Sequence, residues 1–336
     1  MKLLRLPVSL ASDEIPRLLA ADLVDRGAKI EKDDGFVLVP LREEALEKVE
    51  LPGEILDGFT HVRDRRSPQQ RILDAVDVPG DVRHLLPMRW EFVGDIAILK
   101  MPAALDPWKE DLGRVYAKAL GVSTVCVDRG GVQGELRQPR MMLIHGHRTE
   151  SVRQENGIRY MFDVRQVMFA SGNVDERERM GRLDCRGETV LDMFAGIGYF
   201  TLPIARFSGA EKVVACEKNP DSYRYLLRNI ELNGVSEKVE AVLGDNRDLP
   251  ERPMAHRIIM GYVHRTKEFL PKALRLLRPD GVVHYHENYY VHEVEESLHR
   301  DLIQGSAGRP FEVIGLREVK SYAPSVSHYV ADVRFH

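Results

Sequence analysis

The stretch LDMFAGIGYF, residues 191–200, decides the fold. An apolar run ends in Asp192, Gly196 and Gly198 follow, and the aromatic pair Tyr199–Phe200 leads into the helix-like TLPIARFSG. Strand, glycine turn and helix make the opening unit of an open α/β sheet, whose ligands sit beyond the carboxyl ends of the strands. Glycines at 196 and 198 let the backbone approach a ligand that side chains would exclude.

Toward the C-terminus the pattern repeats. KVVACE reads as a strand and NPDSYRYLLRNIELNG as a helix; VEAVLGD, HRIIMGYV and GVVHYHE read as further strands, separated by helices over RTKEFLPKALRLLR and EVEESLHRDLIQG. This alternation predicts a parallel sheet covered by helices on both faces. FEVIGLREVKSYAP and SHYVADVRFH have no helix between them and predict an antiparallel edge.

The ligand is legible from what ends each strand. Glu217 closes the second strand 19 residues after Gly198, and a carboxylate there can accept both hydroxyls of a ribose. The third strand ends in GDNRD, which places Asp245 and Asn246 to read an adenine edge. A nicotinamide dinucleotide would want a third glycine and a pyrophosphate at the helix N-terminus. Tyr199 stands near where that glycine would come, and the turn has no basic residue. A ribose and adenine without phosphates fit better, which points to S-adenosylmethionine. Taken singly, Glu217 is equally a strand-end carboxylate and Asp245 a helix cap; the three signals in this order point to a site.

Toward the N-terminus, 336 residues are enough for more than one domain. Residues 1–50 predict a small α/β module: a strand over LLRLPVSL, a helix started by Ser12 and stopped by Gly27, and a strand over GFVLVPLR. Residues 51–70, with Pro52, Gly53, Gly58 and the charged HVRDRRSPQQ, read as a linker. Residues 71–182 predict a middle α+β domain, with EFVGDIAILKMP, a helix over DPWKEDLGRVYAKALG, and then strands alternating with Gly-marked turns. Residues 183–336 form the domain that holds the glycine turn.

Net charge is −4, so any positive surface for nucleic acid must be local. Between Arg129 and Arg165 seven arginines face four acids, a balance of +3. No apolar run approaches the roughly 18 residues that span a bilayer, and MKLLRLPVSLASDE lacks a signal peptide's apolar stretch. The expectation is a cytoplasmic protein without a membrane partner. Cys126, Cys185 and Cys216 are too widely spaced for a disulfide framework or a zinc site. His284 and His286 read as alternate residues of a buried strand rather than as ligands, so no metal is expected.

LDMFAGIGYFTLPIA, ACEKNP, RNIELNGV and GDNRD resemble the catalytic domain of archaeal and eukaryotic enzymes that modify guanosine 37 of tRNA. EFVGDIAILKMP, QENGIRYMFDV and KSYAPSVSHYVADVRF extend the resemblance through the middle domain and to the C-terminus. The first segment is similar, more weakly, to the small domain with which that family grips the tRNA body. The resemblance implies a Rossmann-like class I S-adenosylmethionine-dependent transferase domain preceded by two smaller α/β or α+β domains.

Two branches of that family differ at two places. Methyltransferases carry an Asn-Leu-Pro-type motif after the fourth strand, where this chain reads MGYVHR (Met260 to Arg265), and a Ser-Pro-Arg-type loop where it reads FASGN (169–173). Both departures, and HYHE at 284–287, resemble the wybutosine-synthesising branch. That branch transfers the 3-amino-3-carboxypropyl group of S-adenosylmethionine to carbon 7 of 4-demethylwyosine at position 37 of tRNA-Phe, releasing methylthioadenosine. Methylation of guanosine 37 or of a wyosine precursor on the same fold is the alternative.

The resemblance implies that Ser171 and Arg177 help to place the methionine arm, an arginine being able to grip its carboxylate with two hydrogen bonds. The expected cofactor set is therefore Ser171, Arg177, Asp192, Phe194, Gly196, Gly198, Glu217, Asp245 and Asn246. A base at position 37 must be flipped from its stack, with Phe194 or Tyr262 as stacking surfaces. For the proton that carbon 7 loses, Asp192, Tyr262 and His264 are the candidates and none stands out; Tyr262 and His264 remain as positioning candidates.

Overall fold

The structure, a computed structural model, describes residues 1–43, 51–60, 64, 66–134, 136–263 and 265–336. The chain divides into two compact units, Met1–Leu73 and Asp74–His336.

In the first unit, β1 (Lys2–Pro7) runs into α1 (Val8–Ala20), followed by β2 (Glu31–Asp33), β3 (Phe36–Leu41) and β4 (Glu54–Asp57). They form a sheet of order β2-β3-β1-β4 whose inner face buries Leu4, Leu6, Val37 and Val39 against Leu18 of the helix. Two details differ from the sequence reading. The helix begins at Val8, directly after Pro7 (φ −56°), and ends at Ala20; Ser12 lies inside it and bonds its neighbour Asp13. The stretch 51–70, read as a linker, supplies β4, which pairs with β1 from Lys2↔Asp57 to Arg5↔Glu54. Residues 44–50 and part of HVRDRR lie outside the described residues. Helix α2 (Pro68–Ala75) follows.

The second unit opens with the hairpin β5 (Trp90–Val93) and β6 (Ile96–Leu99), then α3 (Lys109–Leu120), then β7 (Thr124–Gln133) and β8 (Gln138–His145). Their sheet has the order β5-β6-β7-β8, with β6 and β7 parallel because α3 carries the chain back. A second hairpin, β9 (Glu150–Glu155) and β10 (Ile158–Asp163), leads through a 3₁₀ turn at Ser171–Asn173 into α4 (Val174–Gly181).

The remaining elements are β11 (Thr189–Asp192), α5 (Thr201–Phe207), β12 (Lys212–Glu217), α6 (Pro220–Leu232), β13 (Val239–Leu243), β14 (Ala255–Met260), α7 (Leu270–Leu276), β15 (Leu277–Tyr290), α8 (Val294–Ser306), β16 (Phe311–Ala323) and β17 (Val326–Phe335). They build a seven-stranded sheet of order β13-β12-β11-β14-β15-β17-β16. The first five strands are parallel. The last two pair antiparallel, because a tight turn rather than a helix joins them. The expected antiparallel edge is thus present, with β17 inserted beside β15 and β16 outermost. The pairing of β16 with β17 shifts register three times, between Val313 and Gly315, Glu318 and Lys320, and Ser321 and Ala323.

Two apolar cores cover the sheet's faces. One packs Val190, Ala215 and Ile259 with Leu202, Ile204, Leu226 and Ile230 from helices α5 and α6. The other packs Leu191, Ile258, Val283 and Val333 with Leu270, Ala273, Leu298 and Leu302 from α7 and α8. Strand order reverses between β11 and β14, and the connections leaving them diverge there. That divergence opens the crevice in which such sheets bind their ligands.

Candidate active site

The glycine turn forms the crevice's floor. Gly196 takes φ +57° and Gly198 φ +101°, values that a side chain strains to adopt. A Cβ on Gly196 would lie 2.4 Å from the Tyr199 ring, and one on Gly198 would lie 2.7 Å from Leu202. Glu217, at the end of β12, fastens this turn: one carboxylate oxygen accepts from the Gly196 amide at 2.7 Å, the other from the Asn219 amide at 2.7 Å. Burial pushes the Glu217 carboxyl above its ordinary range, and the backbone amides partly offset it. A carboxylate can accept about four hydrogen bonds in all, so Glu217 has capacity for a further donor.

Asp192 braces the same turn from below. It is fully buried and accepts from the Phe194 amide at 3.2 Å and from the Thr201 hydroxyl at 2.8 Å. Desolvation pushes its carboxyl up to about 6. Asn246 is also buried; its amide nitrogen donates to the Met193 carbonyl at 2.9 Å, leaving its buried oxygen without a partner among the described residues. Asp245 accepts from the Arg247 side chain and from Lys218 at 3.1 Å. The hydrogen bonds from Arg247 hold its carboxyl far below the usual range.

Around this floor lies a cavity of about 230 Å³. Of the residues singled out in the sequence, Arg177, Phe194, Gly196, Glu217, Asp245, Asn246 and Tyr262 line it. Asp192, Gly198 and Ser171 do not: the first two shape the turn from behind, and Ser171 sits between the lining residues Ala170 and Asn173. His264 lies outside the described residues. Phe194 stacks on Tyr262 at 5.1 Å and meets Phe269 edge-on at 5.0 Å, so the cavity has an aromatic wall.

Arg177 departs from expectation in its partners. Its guanidinium grips Glu155 with two hydrogen bonds, at 2.5 and 3.1 Å, and donates to the Ala170 carbonyl at 3.0 Å. These bonds tie α4 and the FASGN turn to β9, and Arg177 still lines the cavity.

Sequence reasoning missed two contributions to the cavity. The β7–β8 hairpin brings Leu136 and Arg137, held in place where the Asn219 amide donates to the Leu136 carbonyl at 3.1 Å. The same Asn219 caps α6 through the Asp221 amide. The C-terminal strands bring His286, Asn288, Lys320, Tyr322 and His328. Their signal was present as period-two spacing, 286 and 288 on β15 and 320 and 322 on β16. His286 is fully buried, stacks on Phe200 at 5.1 Å and lies 3.1 Å from His328 through its Nδ1. Desolvation holds the His286 ring well below its ordinary pKa. His284 bonds Asp332 at 2.5 Å instead. Both histidines are thus buried strand residues, and no group with metal-ligand geometry occurs among the described residues.

The model for the TRM5/TYW2 methyltransferase domain matches residues 151–304, that for the TYW2 N-terminal domain residues 70–149, and that for the tRNA methyltransferase 5 N-terminal domain residues 7–50. A relative from Pyrococcus horikoshii, tRNA(Phe) (4-demethylwyosine(37)-C(7)) aminocarboxypropyltransferase, is 41% identical over 271 residues, which cover 80% of this chain and 96% of that protein. This chain belongs to the TRM5/TYW2 family. Solved structures agree with that membership. P. horikoshii TYW2 in complex with MeSAdo superposes with a TM-score of 0.70 at 38% identity, covering 80% of this chain and 98% of that one. M. jannaschii TYW2 in complex with AdoMet gives 0.60 at 33%, covering 74% and 99%. The order β13-β12-β11-β14-β15-β17-β16 is accordingly the sheet of a TRM5/TYW2 transferase domain.

Proposed function

We propose that this protein transfers the 3-amino-3-carboxypropyl group of S-adenosylmethionine to carbon 7 of 4-demethylwyosine at position 37 of tRNA-Phe, releasing methylthioadenosine. The observation that carries this reading is the 41% identity with an aminocarboxypropyltransferase, over nearly the whole of that relative. MGYVHR and FASGN, where the methyltransferase branch has other motifs, point the same way. Three carbons of a sulfonium are open to attack, so orientation selects among them. Carbon 7 attacks the γ-carbon of the methionine arm, the bond to sulfur breaks with its electron pair, and sulfur leaves as a neutral thioether. The proton on carbon 7 is then lost. Positioning supplies much of the rate in such a displacement.

In this reading Glu217 accepts from the ribose hydroxyls with its remaining lone pairs, and the open oxygen of Asn246 accepts from the adenine amino group. Asp245 holds Lys218 and Arg247 at the rim. Gly196 lets the adenosine lie against the backbone, while Asp192 and Gly198 keep the turn's shape. Ser171 and Arg177 fix the FASGN turn beside the methionine arm. Phe194 and Tyr262 offer the aromatic wall to the flipped base, and His264 lies in the same segment as Tyr262. Residues 1–50, with β4 from 51–70 in their sheet, grip the tRNA body, and 183–336 carry the cofactor with lining residues from the middle domain over 71–182. No helix among the described residues is long and apolar enough to cross a membrane, and the cytoplasm, where tRNA is processed, is the proposed location.

The test is a label experiment on tRNA-Phe bearing 4-demethylwyosine. S-adenosylmethionine labelled in its carboxyl carbon should deliver label to the RNA, and cofactor labelled in its methyl group should leave the label in methylthioadenosine. Methyl label in the RNA would instead make the chain a methyltransferase.

A further inference from the structure

The strands of the large sheet divide the cavity between them. β11, β12 and β13 lead into the glycine turn, Glu217 and GDNRD, which make the adenosine floor. The other half comes from β14, β15 and β17: Tyr262 lies just past the end of β14, His286 on β15 and His328 on β17, and all three line the cavity. β15 pairs with both of its neighbours, in parallel with β14 and antiparallel with β17. The Thr266 hydroxyl lies within hydrogen-bond reach of the Tyr262 and His286 carbonyls and so ties the two segments together. Tyr262 belongs to the aromatic wall, which puts the two histidines on the strands beside it.

A nucleobase that gains a bond at carbon 7 is a cation until its proton leaves, and a neighbouring group must take that proton. The Glu217 and Asp245 carboxylates stand at the adenosine end, engaged by backbone amides and by Lys218 and Arg247. Asp192 lies beneath the turn and does not line the cavity. The histidines are placed differently. His286 Nδ1 lies 3.1 Å from His328 Nε2. On its far side the buried His286 Nε2 has no hydrogen-bond partner among the described residues and faces Glu176 Oε1 at 3.8 Å. Glu176 is buried in turn and held by the Arg179 guanidinium at 2.7 and 2.8 Å. The charged and titratable groups around the pair are Glu176 and Arg179 of α4, His284 of β15, Asp332 of β17 and, opposite His328 in the β16–β17 pairing, Lys320. Two bonded imidazoles backed by a carboxylate form a relay in which a proton gained by one ring is stabilised by the next.

We propose that His328 is the general base of the transfer, with His286 and Glu176 as the groups that stabilise the imidazolium it becomes. The inference rests on the transferase reading above. Once carbon 7 has bonded to the γ-carbon and sulfur has left with its electron pair, His328 takes the carbon 7 proton on Nδ1, the ring nitrogen not engaged with His286. The electrons of that C–H bond return to the ring system of the base and remove its positive charge. His328 Nε2–H then donates to His286 Nδ1, and His286 Nε2–H points at Glu176. The His328 proton passes to solvent when the products leave. Burial keeps the His286 ring neutral beforehand, as an acceptor for this bond must be.

Single-turnover transfer to tRNA-Phe with protium or deuterium at carbon 7 of 4-demethylwyosine separates this role from a structural one. His328→Gln should slow transfer about 10²-fold, within the range for loss of a general base, and raise the protium-to-deuterium rate ratio above the wild-type value. Its binding of S-adenosylmethionine, read by calorimetry, should be unchanged, and added imidazole should restore part of the rate. His286→Gln should move the rate and the ratio in the same direction by less. Should His328→Gln fail to fold, His328→Asn, with a shorter amide, takes its place. A folded His328 variant that keeps the wild-type rate would overturn the proposal. So would one slowed with no change in the isotope ratio, which would make the ring structural. An enlarged ratio in Lys320→Met alone would overturn it in favour of the lysine. A wild type that delivers no carboxyl label to the RNA would sink the transferase reading itself, a result distinct from these.

Discussion

His286 shows how a residue's surroundings fix its protonation. It is fully buried between Phe200 and His328, and burial keeps its ring neutral. A histidine whose folded pKa is depressed stabilises the fold above the ordinary value near 6.5. That contribution is lost as pH falls below it, because the unfolded chain takes up the proton first. His286→Gln should therefore lose less stability than the wild type when the pH drops from 7.5 to 5, read as the change in urea midpoint. A wild type and variant with parallel pH dependence would show instead that the ring titrates alike in the folded and unfolded chain. Glu217 and Asp192 illustrate the limits of reading residues one at a time. Both were legible as acids at strand ends; that one accepts from Gly196 while the other lies beneath the turn depends on backbone geometry that spacing alone does not give.

At the scale of elements, α6 acts as a surrogate strand. Asn229 accepts from the Met161 amide at 2.8 Å and donates to its carbonyl at 3.1 Å; Asn233, one turn later, does the same for Arg159, at 2.9 and 2.7 Å. The two amides satisfy alternate residues along the open edge of β10, which docks the β9–β10 hairpin on the sheet domain. Asn229 also donates to the Ile197 carbonyl at 3.0 Å, so hairpin, helix and glycine turn meet at one side chain. Asn229→Leu leaves buried backbone groups unpaired and should cost about 1–3 kcal/mol, measured by urea unfolding. Asn233→Asp, which sets a buried carboxylate oxygen against the Arg159 and Asn229 carbonyls, should cost at least as much. In the sequence RNIELNGV the i, i+4 asparagines were visible, but their partner strand lies some 70 residues earlier, and no local pattern announces such a pairing. The helices and parallel strands, by contrast, were legible because apolar periodicity records burial directly. β4 was missed for the opposite reason: its burial pattern is mostly exposed, so a strand held by backbone bonds and surface ion pairs left no apolar signature.

For the whole molecule, the chain divides between residues 73 and 74. Every described residue lining the cofactor cavity belongs to the second unit. A chain comprising Asp74–His336 should fold and bind S-adenosylmethionine with the affinity of the full protein. Its affinity for tRNA-Phe should fall, as calorimetry and filter binding would show. Equal tRNA affinity would remove the first unit from RNA recognition. The P. horikoshii relative, matched over 96% of its own length but only 80% of this chain, fits a core that works with a variable addition.

The three register shifts along β16 bear on how the molecule behaves in a crowded solution. A long flat strand at a sheet border invites a second chain to pair with it, and β16 has thirteen residues with Val313 and Ile314 turned to solvent. Bulges twist such a border out of line and re-aim the side chains beside them. Two of these irregularities flank Lys320, which lines the crevice, so the same stretch of β16 serves the cavity and spoils the template for aggregation. Straightening that border by deletion should lengthen the edge open to pairing, which light scattering of the variant would show as self-association.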